Sequence, residues 1–149
     1  MYAMACPKIS TAKNRGIAAQ ADFTMACGLP YTAHDGRAFD MASDVVYMGH
    51  NISVKAYHFT LMSGPMCHGL TTLPEIWEVY AANTHSDRFA YVAEDMAYIM
   101  TIDEFKDFVF KFCEVEKESN HGDRQHTGSY KVRGKRCEKK MVAWFEARM

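Results

Sequence analysis

The amino-acid sequence predicts a mixed α/β domain in which helices flank one central, mixed β-sheet. Segments with helix caps and helical apolar spacing alternate along the chain with short segments rich in β-forming residues. The length of 149 residues suits a single domain. Apolar residues make up 48% and charged residues 23%, as in ordinary globular proteins, which excludes a disordered chain and a long coiled coil.

The first helix is predicted from its end signals. Residues 1–13 have the pattern of an irregular lead-in, and Asn14 can cap a helix that runs to about Cys27. Gly28 follows as a stop signal with Pro30 just beyond it, and residues 30–39 have the composition of a loop.

A β-hairpin is the clearest signal in the sequence. Residues 44–48 are rich in β-forming residues, residues 49–51 have turn chemistry, and residues 52–62 form a longer second strand. The Ser-Gly-Pro sequence at 63–65 ends this strand.

The second half of the chain continues the alternation of helices and strands. In order, we expect a helix over 75–83 that starts near Pro74, strands over 88–93 and 97–100, a helix from Thr101 or Asp103 to about Cys113, a mobile loop over 117–130, a strand over 130–133 and a helix over 138–148.

Cysteine usage indicates the compartment. The five cysteines are widely spaced with no Cys-X-X-Cys pair, which favours a reduced, cytoplasmic protein over a disulfide framework. The histidines and cysteines lack the paired spacing of a structural zinc site. No segment approaches the ~18 apolar residues of a membrane span. The first eight residues lack the basic start and apolar stretch of a signal peptide, so we expect neither secretion nor membrane insertion.

Charge is unevenly distributed. Residues 121–149 hold eight Lys and Arg against three acids, which gives +5, whereas the whole chain has a net charge of −1. A basic segment, here residues 131–149, on an acidic body indicates a polyanionic partner such as DNA, and a solvated charged helix is the alternative. The basic residues that could contact backbone phosphates are Lys131, Arg133, Lys135, Arg136, Lys139 and Lys140.

The predicted hairpin brings charged groups together. Side chains alternate along a strand, so Ser53 and Lys55 share one face, and the turn returns that face beside Asp44. A carboxylate and an ammonium group would then converge at one edge of the sheet. The alternatives are a turn-flanking or capping role for Asp44 and a solvent-facing position for Lys55 on an edge strand.

The placement of Asp44 and Ser53-Val54-Lys55 across a hairpin that follows a helix resembles the core of the PD-(D/E)XK nuclease superfamily, which includes many restriction endonucleases. The resemblance covers residues 14–62 by motif, and the order of the later elements is compatible with it. It implies a restriction-endonuclease-like core in which Asp44 binds a divalent metal and Lys55 positions or activates the attacking water.

Two positions depart from the family pattern. Ser53 stands where the family has a second metal-binding acid, and Gln20 stands where the first helix often carries a further acid. Gln20 could instead lie on the exposed face of its helix. An acid from a neighbouring element could replace the missing carboxylate. The candidates are Asp40, on the strand face of Asp44 if that strand extends back, and Glu78 on the following helix, which we favour over Glu75 at the helix start.

The metal implied by the resemblance is Mg²⁺, with Mn²⁺ as a substitute. Mg²⁺ prefers hard oxygen ligands and keeps several waters. Asp44, the backbone carbonyl of Val54, a substrate phosphate and waters could supply these ligands. The implied reaction is metal-assisted phosphodiester hydrolysis, in which Lys55 stabilises the developing negative charge or accepts a proton.

Three functions are compatible with the sequence. The first is a small Mg²⁺-dependent DNA endonuclease, which as a homodimer could cut both strands. The second is a nuclease-fold protein with weakened or lost chemistry that binds nucleic acid or a protein, such as a phage or mobile-element inhibitor of a host nuclease. The third is a plain α/β interaction domain, in which the side chains of Asp44 and Lys55 would lie beyond ~8 Å from each other.

Overall fold

A computed structural model describes residues 1–30, 45–57, 59–62, 67, 69–117, 130–134 and 137–149. The predicted mixed α/β class is confirmed, with eight strands and four helices in these residues. In chain order they are β1 (Tyr2–Ala5), α1 (Arg15–Ala26), β2 (Val45–Tyr47), β3 (His50–Ala56), β4 (Thr60–Met62), α2 (Leu73–Asn83), β5 (Arg88–Ala93), β6 (Met96–Thr101), α3 (Ile102–Phe112), β7 (Cys113–Lys117), β8 (Tyr130–Gly134) and α4 (Glu138–Glu146).

Side-chain caps fix where the helices begin. The Asn14 side chain accepts a hydrogen bond from the Ile17 amide at 3.1 Å, so α1 starts where the sequence predicted. Of the two predicted caps of α3, Thr101 is the one used. It forms a reciprocal capping box with Glu104, in which each side chain accepts from the other residue's backbone amide.

A five-stranded mixed sheet forms the centre of the fold. Its strand order is β1-β6-β5-β3-β2, with β3 and β5 parallel and the other pairs antiparallel. Helix α2 lies in the connection between the two parallel strands. The prediction of an irregular lead-in over 1–13 is wrong for Tyr2–Ala5, because β1 pairs with β6 along its whole length.

Three short strands form a second, antiparallel sheet in the order β4-β8-β7. The prediction of one sheet is therefore incomplete. The predicted second hairpin strand over 52–62 is divided, since β3 ends at Ala56 and β4 joins the other sheet. The loop predicted over 117–130 is bounded by β7 and β8, and residues 118–129 lie outside the described residues.

Both faces of the central sheet are covered by helices, because alternate residues of its strands enter two separate cores. On one face, residues of α1 pack with alternate residues of β5 and β6 in a smaller core cluster that includes Ala19, Phe23, Ile52, Ala90, Val92, Ala97 and Ile99. On the other face, residues of α2, α3 and α4 form a larger core cluster that includes Ile76, Trp77, Phe89, Tyr91, Tyr98, Phe105, Phe108, Met141 and Phe145. A sheet buried on both faces explains the nearly continuous apolar sequences of β5 and β6.

The basic C-terminal segment over 131–149 is built into the fold. Its first part is β8, and its last part is α4, which buries Met141, Val142 and Phe145. Among the described residues, no helix combines the length and the apolar character needed to cross a bilayer.

Candidate functional site

A tight turn positions the hairpin that carries Ser53 and Lys55. Tyr47 pairs with His50, which leaves Met48 and Gly49 as a two-residue loop. Both loop residues have positive φ, 51° and 77°, as a type I′ turn requires. The turn therefore begins at Met48, one residue before the predicted 49–51, and it sets the register in which Val45 lies opposite Ile52.

Ser53 and Lys55 share one face of β3. In the parallel ladder Ser53 lies beside Phe89 and Lys55 lies beside Tyr91. Both neighbours belong to the larger core cluster, whereas Ile52 and Val54 pack in or against the smaller one. Ser53 is only 6% exposed, and Lys55 is half-buried. At Lys55 the strand β3 pairs with β5, whereas β2 pairs with β3 only over His50–Ile52, so the edge-strand alternative for Lys55 stays open.

The carboxyl end of β3 is lined by aromatic rings. Tyr57 follows the strand with a φ of 51°, a left-handed conformation that bulky residues rarely adopt. The buried Tyr91 hydroxyl donates to the Tyr57 carbonyl oxygen at 3.3 Å. The Lys55 ammonium lies 5.9 Å from the centroid of the Phe59 ring. The lysine thus sits against aromatic groups where the strand ends.

Arg15 and Glu138 reach the same strand end from two helices. The Arg15 guanidinium carbon lies 4.0 Å from the centroid of the Tyr57 ring. One of its terminal nitrogens lies 3.5 Å from a carboxylate oxygen of Glu138, the first residue of α4. Neither residue was predicted from the sequence as part of the site. They are 123 positions apart, and no local pattern signals that they meet.

The electrostatics of Tyr91 connect these groups. Burial raises the pKa of the Tyr91 hydroxyl, the negative charge of Glu138 raises it further, and Arg15 lowers it by a smaller amount. The hydroxyl therefore stays protonated and remains a hydrogen-bond donor to Tyr57 at neutral pH.

The grouping of Gln20 with Ser53 and Lys55 stays a prediction. Gln20 lies in α1, whose residues Ala19 and Phe23 pack in the smaller core cluster. The alternative of an exposed helix position is wrong, because Gln20 is only 6% exposed. The same helix also carries a buried acid, Asp22, whose carboxylate accepts from the amides of residues 9 and 10.

The predicted acidic ligands are dispersed or lie outside the described residues. Asp44 and Asp40 belong to the range 31–44, which the structure does not describe. Glu78 is exposed on α2. Glu75 accepts a hydrogen bond from the Thr72 hydroxyl at 2.6 Å, which is the first-turn position expected for it. Within the described part of the chain, no group of three or more His, Cys, Asp or Glu side chains could hold a metal ion.

The predicted phosphate-binding residues fall into three groups. Lys139 and Lys140 are exposed in the first turn of α4, directly after Glu138. Lys131 and Arg133 lie in β8, where the structure describes the backbone. The remaining two, Lys135 and Arg136, are outside the described residues.

In comparisons with known proteins, no family model, no curated protein and no solved structure matches this chain.

Proposed function

We propose that this protein is a metal-dependent DNA endonuclease of the PD-(D/E)XK type. The observation that carries the proposal is the register of β3, which puts Ser53 and Lys55 on one face beside Phe89 and Tyr91. Lys55 lies near the carboxyl end of two parallel strands, which is where open α/β sheets bind their ligands. Asp44 directly precedes β2 in the chain, and the proposal requires its carboxylate on the same face.

Lys55 has the surroundings of a charge-stabilising group. It is half-buried beside the Phe59 ring, and the strand and its neighbour Tyr91 fix its backbone. In phosphodiester hydrolysis, negative charge develops on the phosphate oxygens and on the leaving oxygen. An ammonium group held in a partly dry site stabilises that charge more strongly than it would in water.

The described residues do not by themselves fit a magnesium site. Ser53 can offer an oxygen but no charge, and Val54 can offer only its carbonyl. Carboxylate ligands would have to come from Asp44 and Asp40. A bound Mg²⁺ or Mn²⁺ would polarise the phosphate and supply hydroxide at neutral pH.

The second candidate function is a nuclease-fold protein that binds DNA or a protein partner without cutting. The observation in its favour is the shortage of carboxylates. Serine and glutamine stand at the two acid positions, and the described residues hold no three-ligand cluster. A phage or mobile-element inhibitor of a host nuclease belongs to this class.

Two further properties complete the proposal. The protein acts in the cytoplasm and as a homodimer, since a second copy could cut the second strand. In support of a reducing compartment, the five cysteines, all within the described residues, form no disulfide. Burial also raises the pKa of the Cys6 thiol to about 12, which keeps it unreactive.

Cleavage of a supercoiled plasmid, first with Mg²⁺ and then with Mn²⁺, tests the proposal. The set comprises the wild type, Lys55→Ala, Asp44→Ala and the matched control Lys106→Ala. Lys106 is also half-buried, and its ammonium lies 5.6 Å from the centroid of a phenylalanine ring, but on α3. We expect nicking or linearisation by the wild type and the control alone.

The other outcomes of the cleavage assay lead to different conclusions about the protein. Salt-sensitive retention of the plasmid with no cleavage by any protein favours the binding function. Equal cleavage by the wild type and Lys55→Ala contradicts the assignment of Lys55 and points to a contaminating nuclease.

A further inference from the structure

An arginine is held beside the lysine-bearing end of β3 by two contacts from different elements. Arg15 stacks on the Tyr57 ring at 4.0 Å and approaches Glu138 at 3.5 Å. The carbonyl of Tyr57 accepts the Tyr91 hydroxyl, and Tyr91 is the strand neighbour of Lys55. These contacts connect Arg15, through Tyr57 and Tyr91, to the strand neighbour of Lys55.

Helix stability does not explain an arginine at this position. Arg15 is the first residue of α1, where the partial positive charge of the helix end disfavours a cation. The first turn, Arg-Gly-Ile-Ala, contains no acidic residue to offset that charge. The ion pair with Glu138 is long and the Arg15 side chain is 54% exposed, so the pair adds little to folding stability.

The same features suit the recognition of a phosphate group. A guanidinium group binds phosphate with two parallel hydrogen bonds, and an aromatic face beneath it fixes the plane of the guanidinium group. The positive end of α1 and the Lys55 ammonium add to the potential that attracts an anion. Glu138 is the one acid that contacts Arg15 among the described residues, and its weak contact can be exchanged for a phosphate.

We propose that Arg15 binds a backbone phosphate of DNA beside Lys55, and that Glu138 holds the guanidinium in the free protein and releases it when DNA binds. The inference rests on the proposed function, since it names the substrate group bound next to Lys55. It assigns Arg15 to substrate binding and Glu138 to a competing contact that sets the affinity.

The test is DNA binding in EDTA, where no cleavage occurs. Binding of the full-length protein to a fluorescein-labelled 20-base-pair duplex is measured by anisotropy over a series of KCl concentrations. The variants are Arg15→Ala, Arg15→Lys and Glu138→Gln. The matched control is Arg88→Ala, which removes an arginine that is also 3.5 Å from a carboxylate, at the amino end of β5.

We expect Arg15→Ala to reduce the slope of log K against log [KCl] by ~0.9, because one phosphate contact is lost. At 0.1 M KCl this corresponds to roughly eightfold weaker binding. Arg15→Lys should retain the slope, because the positive charge remains. Glu138→Gln should bind roughly twofold to fivefold more tightly, because the competing charge is removed. Arg88→Ala should match the wild type.

The outcomes distinguish failure of the inference from failure of the proposed function. An unchanged slope in a folded Arg15→Ala, or weaker binding by Glu138→Gln, rejects the phosphate contact while cleavage by the wild type still supports the nuclease. A reduced slope without cleavage in Mg²⁺ or Mn²⁺ supports the phosphate contact and rejects the nuclease. A wild type that does not bind the duplex at all rejects both.

Discussion

Replacing Phe105 by alanine removes a ring from the centre of the larger core cluster. Phe105 is fully buried, and its ring lies 4.1 Å from that of Phe89 in a nearly parallel stack. The ring centroids of Trp77 and Phe108 lie 5.9 Å and 6.2 Å from that of Phe105. Truncation loses the buried area and leaves a cavity between rigid rings, so we expect a loss of ~3–5 kcal/mol in the free energy of unfolding.

Phe110→Ala is the matched control on the same helix. The Phe110 side chain is 42% exposed and opens to solvent, so its removal leaves no enclosed cavity. The expected loss is ~1–2 kcal/mol, from the buried part of the ring alone. The gain in helix propensity from phenylalanine to alanine is shared by both variants and cancels in the comparison.

Urea unfolding followed by circular dichroism distinguishes the two variants. With a slope of ~2 kcal/mol per molar urea, the midpoint should fall by ~1.5–2.5 M for Phe105→Ala and by ~0.5–1 M for Phe110→Ala. Equal shifts for both would refute the assignment of Phe105 to the closed core and Phe110 to its edge.

Three other predictions concern local features of the fold. Met48→Asn should raise the free energy of unfolding by ~0.5–1 kcal/mol, because asparagine tolerates the left-handed turn position better than methionine, and a lower Tm would contradict this. Thr101→Ala should cost ~1 kcal/mol in urea unfolding, since the hydroxyl caps the Glu104 amide, and an unchanged midpoint would argue against the cap. The hydrogen bond from His50 lowers the pKa of Asp87, so the carboxylate's contribution is present above pH ~3.9 and is lost as pH falls through the lowered pKa. Asp87→Asn should therefore be less stable than the wild type at pH 6, and the difference should disappear once the pH falls below the lowered pKa of Asp87, whereas a difference that is independent of pH would exclude this linkage.

Local chemistry made most of the helices and two turns predictable. Asn14 and Thr101 signal helix starts through hydrogen bonds to amides three positions away, so their effect is visible in a short window. The strands predicted over 88–93 and 97–100 leave a short turn between them, and Glu94 and Asp95 in that turn both have positive φ. The hairpin turn falls one residue earlier than predicted, because Met48 adopts a left-handed conformation for which methionine gives no signal.

Pairings between distant segments were the part that the sequence could not show. β1 pairs with β6, about 90 positions further along the chain. β3 and β4 do not form one continuous strand. Tyr57, which follows β3, has a left-handed backbone conformation, and β4 pairs with β8 in the second sheet. Such contacts depend on which edges remain open once the rest of the chain has packed, and a local pattern does not carry that information.

The same distinction applies to the candidate site, where local features were predictable and contacts between distant segments were not. The common face of Ser53 and Lys55 follows from strand alternation, which is a local rule. The stacking of Arg15 on Tyr57 and its approach to Glu138 join three elements that are remote in sequence. Burial of Gln20 also depends on the packing of α1 over the sheet, and its polar side chain favoured an exposed position.

The most direct test of the account is the single-turnover cleavage of a labelled duplex at saturating protein, with Mg²⁺ and with Mn²⁺. Saturation separates chemistry from binding, so the rate reports the role of Lys55 in the transition state. Loss of one preorganised charge-stabilising group typically lowers such rates by ~10²–10³. We predict cleavage by the wild type that is slower by about this factor in Lys55→Ala at equal DNA occupancy. No cleavage by the saturated wild type, or equal rates for the two proteins, would contradict the central claim.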